Sequence, residues 1–119
     1  MKAQGQISLP DSASELRTSA RRRVLLSGKI IFGDVDLSVD CAIRDLTRLG
    51  AKVRLKSALA LPSDVYLIEL RSGVIFESRI TWRRLPELGL KFLGSQKLGE
   101  TTDPRMKRLK RIWKAHAAR

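Results

Sequence analysis

The stretch VDLSVDCAIRDLTRLGAKVRLK, residues 35–56, decides the fold. Apolar and polar side chains alternate from Val35 to Arg44, and they alternate again from Ala51 to Lys56. A period of two places one set of side chains in a core and the other set in water, as in a half-buried β-strand. The stretch therefore predicts two antiparallel strands joined by a turn.

Four further runs on either side have the composition of strands, and turn signals such as Gly33-Asp34, Arg71-Ser72-Gly73 and Pro86-Glu87 separate them. The predicted runs are Val24–Phe32, Val65–Leu70, Val74–Trp82 and Leu88–Leu93. Strands spaced about ten residues apart are typical of an antiparallel sandwich or small barrel.

The C-terminal part changes from strand period to helix period. Asp103 followed by Pro104 is an N-cap with proline at the first helical position. Residues of one face then recur at helical spacing, with basic residues between them; the set is Met106, Leu109, Ile112, Trp113 and His116 or Ala117. Residues 101–117 are therefore predicted to form a basic amphipathic helix that packs on the β-domain.

The 119 residues suffice for one domain, and the net charge of +12 favours an anionic partner. Residues 101–119 contribute +6 of that charge. One cysteine and one histidine exclude an internal disulfide and the usual Cys/His zinc set, so no metal site is expected. Residues 1–15 lack apolar periodicity and are interpreted as a flexible leader without a signal peptide. A lone cysteine fits a reducing compartment, which predicts a cytoplasmic protein.

Isolated residues that carry chemistry elsewhere are better explained here by packing. Cys41 lies on the apolar face of its strand and is expected to be a buried, unreactive thiol. His116 has no nucleophile or carboxylate near it in the sequence, and Trp82 and Trp113 share faces with core residues. Without a convergent acid, base and nucleophile, we expect no enzymatic activity.

The first motif with functional potential is Arg17-Thr18-Ser19-Ala20-Arg21, followed at once by Arg22 and Arg23. Two guanidinium groups four residues apart can converge on one anion, because each offers a planar fork of donors that matches a phosphate or the edge of a guanine. The alternative is a run of solvated charges at the entrance to the first strand.

The second motif is Asp45-Leu46-Thr47-Arg48-Leu49-Gly50, between two strands. Asp45 can accept hydrogen bonds from a guanine or orient an arginine, Thr47 supplies a hydroxyl, and Gly50 permits a positive φ or a close backbone approach. The alternative is a plain hairpin turn, in which Asp45 and Thr47 cap backbone groups.

Together, these two motifs on a β-framework resemble the PilZ domain family, which has an RxxxR motif, then a [DN]xSxxG motif, on a six-stranded β-barrel. Ile80-Thr81-Trp82 and Gly89-Leu90-Lys91-Phe92 are also similar to the family's later strands. The resemblance covers residues 16–95 and implies a mainly β fold, a six-stranded antiparallel barrel followed by the C-terminal amphipathic helix.

The resemblance also implies a function, which is binding of the bacterial second messenger cyclic di-GMP. The implied ligand-binding residues are Arg17, Arg21, Asp45, Thr47 and Gly50, with Arg22 as a third phosphate contact. Thr47 stands where the family usually has serine, so the hydroxyl is retained and a methyl group is added. The implied mechanism is ordering of the arginine segment by the ligand, with the signal passed on through contact with a partner protein.

Two other functions are compatible with the same sequence. A basic nucleic-acid-binding β-barrel would explain the charge, but it is disfavoured because no series of solvent-facing aromatic residues runs along the strands. The other alternative is a PilZ-like interaction module that no longer binds the nucleotide. None of the three requires a cofactor.

Overall fold

The computed structural model describes residues 22–33 and 37–117, with the backbone alone for residues 22–24 and 117. The elements are β1 (Arg22–Phe32), β2 (Leu37–Leu46), β3 (Gly50–Leu55), β4 (Asp64–Glu69), β5 (Val74–Arg84), β6 (Glu87–Lys97), a 3₁₀ turn (Pro104–Met106) and α1 (Lys107–Ala117). The predicted fold class is confirmed, and the structure selects the barrel over the sandwich. The predicted leader, residues 1–15, lies outside the described residues.

The strands form a closed antiparallel barrel in the order β1-β2-β3-β6-β5-β4. Closure depends on the pairing of β1 with β4, where Gly28 lies opposite Glu69 and Ile31 opposite Tyr66. A closed sheet leaves no long unpaired edge. The order also separates the barrel wall into two sides, because β3 and β6 lie across the barrel from β1 and β4.

The barrel interior holds the main hydrophobic core, to which the alternating positions of every strand contribute. Val39, Cys41 and Ile43 of β2 point inward, as the sequence period predicts. The rings of Phe76 and Phe92 stack with centroids 4.0 Å apart. Cys41 is buried, as expected, and burial raises the pKa of its thiol to about 12, with the nearby charge of Asp40 acting in the same direction.

A second hydrophobic cluster lies between the outer face of the barrel and α1. Ile31, Ile68 and Ile75 have the opposite parity to the core positions of their strands, so they face outward. Met106 and Leu109 cover them and are themselves buried. The apolar stripe of α1 is thereby packed against the side of the barrel that β1, β4 and the start of β5 form.

Trp113 fixes α1 against the β4–β5 turn. Its indole Nε1 donates a hydrogen bond to the carbonyl oxygen of Leu70 at 2.9 Å. Its ring lies over Gly73, where a Cβ would come within 2.4 Å of the indole and where φ is +75°. The expectation that Trp113 packs against other apolar residues is confirmed, since it borders the second cluster.

The helical segment is capped at Asp103 as the sequence predicts, but its first turn is a 3₁₀ turn and α1 begins only at Lys107. The Asp103 carboxylate accepts a hydrogen bond from the backbone N–H of Arg105 at 2.9 Å, and Pro104 follows as the first residue of the 3₁₀ turn. The Arg105 guanidinium, which donates to the same carboxylate, lowers the pKa of Asp103. Among the helices in the described part of the chain, none is long and apolar enough to cross a membrane.

Two strand ends differ from the sequence prediction in ways that affect the functional site. β2 continues to Leu46 instead of ending at Arg44, so Asp45 lies within the strand and the turn to β3 shortens to residues 47–49. β5 continues to Arg84, beyond Trp82. In both places, pairing with a neighbouring strand extends the ladder past the point where the apolar alternation stops.

Candidate functional site

The predicted site residues fall into three groups. Arg17 and Arg21 lie outside the described residues. Arg22 is the first residue of β1, and its backbone lies opposite Leu46 at the end of β2. Asp45, Thr47 and Gly50 occupy the end of β2, the turn and the start of β3, so the second motif lies beside the point where the arginine segment, residues 17–22, enters the barrel.

A row of directly opposed residues crosses five strands of the barrel at this level. Arg23 of β1 lies opposite Asp45 of β2, and Asp45 lies opposite Lys52 of β3. Lys52 lies opposite Gly89 of β6, which in turn lies opposite Trp82 of β5. Cross-strand neighbours on one face are close enough to interact, so each residue of the row can contact the next one along it.

Asp45 is a nearly buried carboxylate, with 8% of the residue exposed. Its Oδ2 lies 3.6 Å from the Nζ of Lys52, which is itself partly buried. Buried carboxylates are rare unless a cation or several donors compensate them. Asp45 is therefore placed to hold the ammonium group of Lys52 in position along the row.

Thr47 organises the turn between β2 and β3. Its hydroxyl oxygen accepts hydrogen bonds from the backbone N–H groups of Leu49 at 2.9 Å and Gly50 at 3.0 Å. The hydroxyl also lies 3.2 Å from the carbonyl oxygen of Gly50, to which it donates. One donor and two acceptor positions are the full capacity of a hydroxyl. This arrangement is the capped turn that the sequence offered as the alternative reading of the motif.

Gly50 is required by a close approach of two strands. A Cβ at this position would lie 2.0 Å from the carbonyl oxygen of Leu90 on β6. Its φ is not in the left-handed region, so the requirement comes from space and not from backbone conformation. No other residue type fits here without separating β3 from β6.

An open depression of about 310 Å³ lies over this part of the wall. Its lining residues come from β2, β3, β5, β6 and the turn, and they are Asp45, Thr47, Leu49, Gly50, Ala51, Lys52, Trp82, Leu90 and Lys91. Small-molecule sites commonly begin at about 300 Å³ and combine apolar walls with a few polar groups. This cavity, the β3–β6 depression, has that composition, with an indole, two ammonium groups and one carboxylate.

Trp82 is the lining residue that the sequence placed wrongly. It was expected in the core with Phe76 and Ile80, but 44% of it is exposed. The β5–β6 register shifts between Ile80 and Trp82, which breaks the alternation at that point. The indole then lies over Gly89 on the outside of the barrel, where a Cβ would be 2.0 Å from its Nε1.

A weak signal for this exposure is present in the sequence. Trp82 is followed by Arg83 and Arg84, and the strand thus ends in residues that need water. Gly89, seven positions later, is the small residue that leaves room for the indole. Neither feature specifies which residues of β5 and β6 lie opposite each other. The register between these two strands is what makes Trp82 part of the site.

Lys91 adds a second cation to the depression. It is exposed at the position opposite Gly50 on β6. Within residues 22–33 and 37–117 it forms no ion pair, whereas Lys52 is paired with Asp45. The same described residues hold no group of three His, Cys, Asp or Glu side chains that could bind a metal ion.

No known family model matches the chain, and no curated protein matches it either.

Proposed function

We propose that this chain is a receptor for cyclic di-GMP that binds the nucleotide in the β3–β6 depression. The observation that carries the proposal is that the first residue of β1 pairs with the end of β2, next to residues that line the depression. Arg22 lies opposite Leu46, so the arginine segment joins the barrel beside Asp45 and Thr47. The second motif of the resemblance therefore lines the depression, and the first motif precedes a strand that pairs next to it.

The depression offers a stacking surface and positive charge to a purine nucleotide. An exposed indole can stack on the face of a base. In the proposed complex, a guanine of cyclic di-GMP lies on Trp82, and the ammonium group of Lys91 faces a phosphate. Lys52 and Asp45 form the floor, where the carboxylate holds the lysine.

The arginine segment supplies the remaining contacts in the proposed complex. Arg21 precedes Arg22 directly, and Arg17 is five residues before it. A chain of five residues spans at most about 17 Å, so both guanidinium groups are within reach of the depression. Each fork can donate two parallel hydrogen bonds to a phosphate or to the O6/N7 edge of guanine.

In this proposal Thr47 and Gly50 shape the backbone around the depression and do not contact the ligand. The Thr47 hydroxyl is fully engaged within the turn, so it maintains the wall of the depression and does not contact the ligand. A serine would make the same three hydrogen bonds, which explains how threonine can replace it at this position. Gly50 allows β3 and β6 to approach beneath the cavity.

Signal output in the proposed mechanism comes from closure of the arginine segment over the ligand. The closed segment and the bound nucleotide form a surface that differs from that of the free protein. A protein partner that binds this surface more tightly than the open form shifts the equilibrium further. No catalytic step is part of the proposal.

Isothermal titration of the protein with cyclic di-GMP tests the proposal directly. We expect saturable heat at ligand concentrations of up to about tens of micromolar. A dissociation constant in that range corresponds to a binding free energy of about −7 kcal/mol. The Arg17→Ala and Arg21→Ala variants should each bind at least about tenfold more weakly, because a charge-assisted hydrogen bond contributes roughly 1.5–3 kcal/mol. Arg44→Ala is the matched control, since Arg44 is exposed on β2 and does not line the depression.

Two outcomes contradict the proposal in different ways. Absence of binding by the wild-type protein rejects the receptor function and leaves the interaction module that has lost its ligand. Wild-type affinity in both arginine variants rejects the role of the arginine segment. A gel shift with single- and double-stranded nucleic acid at several salt concentrations measures the alternative function separately.

A further inference from the structure

The exposed face of α1 carries a straight array of positive charge. Lys107, Lys110, Arg111 and Lys114 are spaced i, i+3, i+4 and i+7, which places them on one side of a helix; Lys110 is half-buried and the other three are exposed. We call these four residues the basic ridge. From Pro104 to the end of the chain the sequence contains no acidic residue.

The orientation of the basic ridge is fixed by the packing of the opposite face. Met106 and Leu109 are buried against the barrel, and Trp113 is hydrogen-bonded to the carbonyl oxygen of Leu70. The helix therefore cannot turn its lysines inward. The ridge points away from the barrel.

The ridge is not neutralised by the rest of the described chain. Within residues 22–33 and 37–117, none of its four side chains forms an ion pair, whereas Arg105 nearby is paired with Asp103 at 2.9 Å. Like charges three and four residues apart repel each other and weaken a helix. A helix with this pattern is more stable when an external anion with several charges lies along it.

The chemistry of the ridge points to one class of anion. The apolar face of α1 is packed against the barrel, so the helix cannot insert that face into a lipid bilayer as interfacial helices do. The ridge also contains no aromatic or aliphatic anchor of the kind that dominates protein–protein interfaces. A line of cations alone matches a regularly spaced polyanion, and the phosphate backbone of a nucleic acid has that property.

The dimensions agree with this assignment. Lys107 and Lys114 are separated by about 10 Å along the helix axis, at about 1.5 Å per residue. Consecutive phosphates of one duplex strand rise by about 3.4 Å along the axis, so the ridge spans about three to four of them. We propose that the basic ridge of α1 binds the phosphate backbone of double-stranded nucleic acid without reading its sequence.

The basic ridge is separate from the β3–β6 depression. α1 packs on outward-facing residues of β1, β4 and the start of β5, whereas the depression is lined by β2, β3, β6 and the far end of β5. In the closed order of strands these are different sides of the barrel. The ridge therefore does not depend on cyclic di-GMP binding, and either proposal can fail without the other.

Fluorescence anisotropy with a labelled random-sequence DNA duplex tests the ridge. The test variant changes Lys107, Lys110, Arg111 and Lys114 to glutamine. The control variant changes Arg44, Lys56, Arg71 and Arg84 to glutamine, which removes the same charge from exposed positions off the helix. Circular dichroism and the combined fluorescence of Trp82 and Trp113 establish that both variants keep the fold.

The salt dependence gives the quantitative expectation. Each phosphate neutralised contributes about −0.9 to the slope of log K against log salt. The ridge variant should therefore show a slope less steep by about 3–4 than the wild-type slope between about 50 and 300 mM salt, and at least about tenfold weaker binding at the low end. The control variant should keep a slope within about 1 of the wild-type slope.

Three results overturn the inference. The first is absence of duplex binding by the wild-type protein at low salt. The second is an equal loss in the ridge and control variants, which means that net charge alone acts. The third is ridge-dependent binding to phosphatidylglycerol vesicles or to polyglutamate with none to the duplex, which assigns the ridge to a membrane or an acidic protein.

Discussion

Replacement of Gly89 by alanine tests whether the position of the Trp82 indole matters for binding, because it moves the ring without removing it. A Cβ at residue 89 would lie 2.0 Å from the Nε1 of Trp82 and 2.4 Å from its Cδ1. Ordinary contact begins at 3.4 Å, so the ring must move by at least about 1.4 Å. The side chain can move, because 44% of Trp82 is exposed. Gly89→Ala is therefore expected to displace the indole from the β3–β6 depression while the barrel stays folded.

The expected change in stability is small and the expected change in affinity is large. Alanine in a strand is favoured over glycine by roughly 0.5–1 kcal/mol, which offsets part of the cost of moving the ring, so the free energy of unfolding should change by less than about 1 kcal/mol. Base stacking on an aromatic side chain contributes about 1–3 kcal/mol. Loss of that contribution weakens cyclic di-GMP binding by about 5- to 150-fold.

The assay combines urea denaturation with isothermal titration for four proteins. These are the wild type, Gly89→Ala, Trp82→Ala and the double variant. The two single changes remove the same contact, so the double variant should bind no more weakly than Trp82→Ala. Gly94→Ala is the matched control on the same strand, because a Cβ there would meet nothing closer than Glu77 Oε1 at 3.9 Å.

Two results would refute this reasoning. Destabilisation of Gly89→Ala by more than about 3 kcal/mol means that the indole is part of the folded core and not of a mobile site. Normal affinity in Gly89→Ala, together with weak binding by Trp82→Ala, means that the place of the ring over Gly89 is irrelevant to the ligand.

Two further predictions concern the turn and the core. Thr47→Val removes a hydroxyl that makes three hydrogen bonds, so it should lower the free energy of unfolding by about 1–2 kcal/mol. Thr47→Ser keeps the hydroxyl and should stay within about 0.5 kcal/mol of wild type. Urea denaturation measures both variants, and a valine variant as stable as wild type would contradict the turn-capping role. The thiol of Cys41, with its pKa raised from 9.0 to about 12, should not react with an aromatic disulfide reagent at pH 8 until the protein unfolds. The pKa of this thiol is higher in the folded than in the unfolded protein, so the unfolded state ionises first as the pH rises. The free energy of unfolding is therefore unaffected below pH 9.0 and falls between pH 9.0 and about 12, by up to about 1.4 kcal/mol per pH unit. Denaturation at several pH values measures this fall.

The two proposals assign different anions to different sides of one small barrel. The β3–β6 depression combines an indole with lysines and a carboxylate, which suits a nucleotide with a base and phosphates. The basic ridge has charge without aromatic or apolar groups, which suits a phosphate backbone alone. The net charge of +12 by itself separates neither from the other, because it does not say where the charge lies.

The sequence was sufficient for elements whose signal is carried by close neighbours along the chain. The alternation of Val39, Cys41 and Ile43 reports directly which face of β2 is buried, and that face is the one in the core. Asp103 and Pro104 mark the start of the C-terminal helix, since the capping hydrogen bond joins residues only two positions apart. The number of strands followed from the same local patterns.

Trp82 was misplaced because its exposure depends on a register shift between β5 and β6. Alternation within β5 continues to residue 82, and from that pattern alone the indole belongs in the core with Ile80. The pairing of Trp82 with Gly89, and the extension of β2 through Asp45, depend on the register between two strands. Local periodicity contains no information about which positions of two strands lie opposite each other.

The sequence by itself determined the number of strands, the inward face of β2, the basic helix and the two motifs. Only the tertiary structure decided that the sheet closes between β1 and β4, that Trp82 and Lys91 join Asp45 around one depression, and that α1 covers the other side of the wall. The physical reason is that side-chain period is a property of neighbouring residues. Closure, register and the choice of a packing face result from the competition among all pairings for the same buried surface.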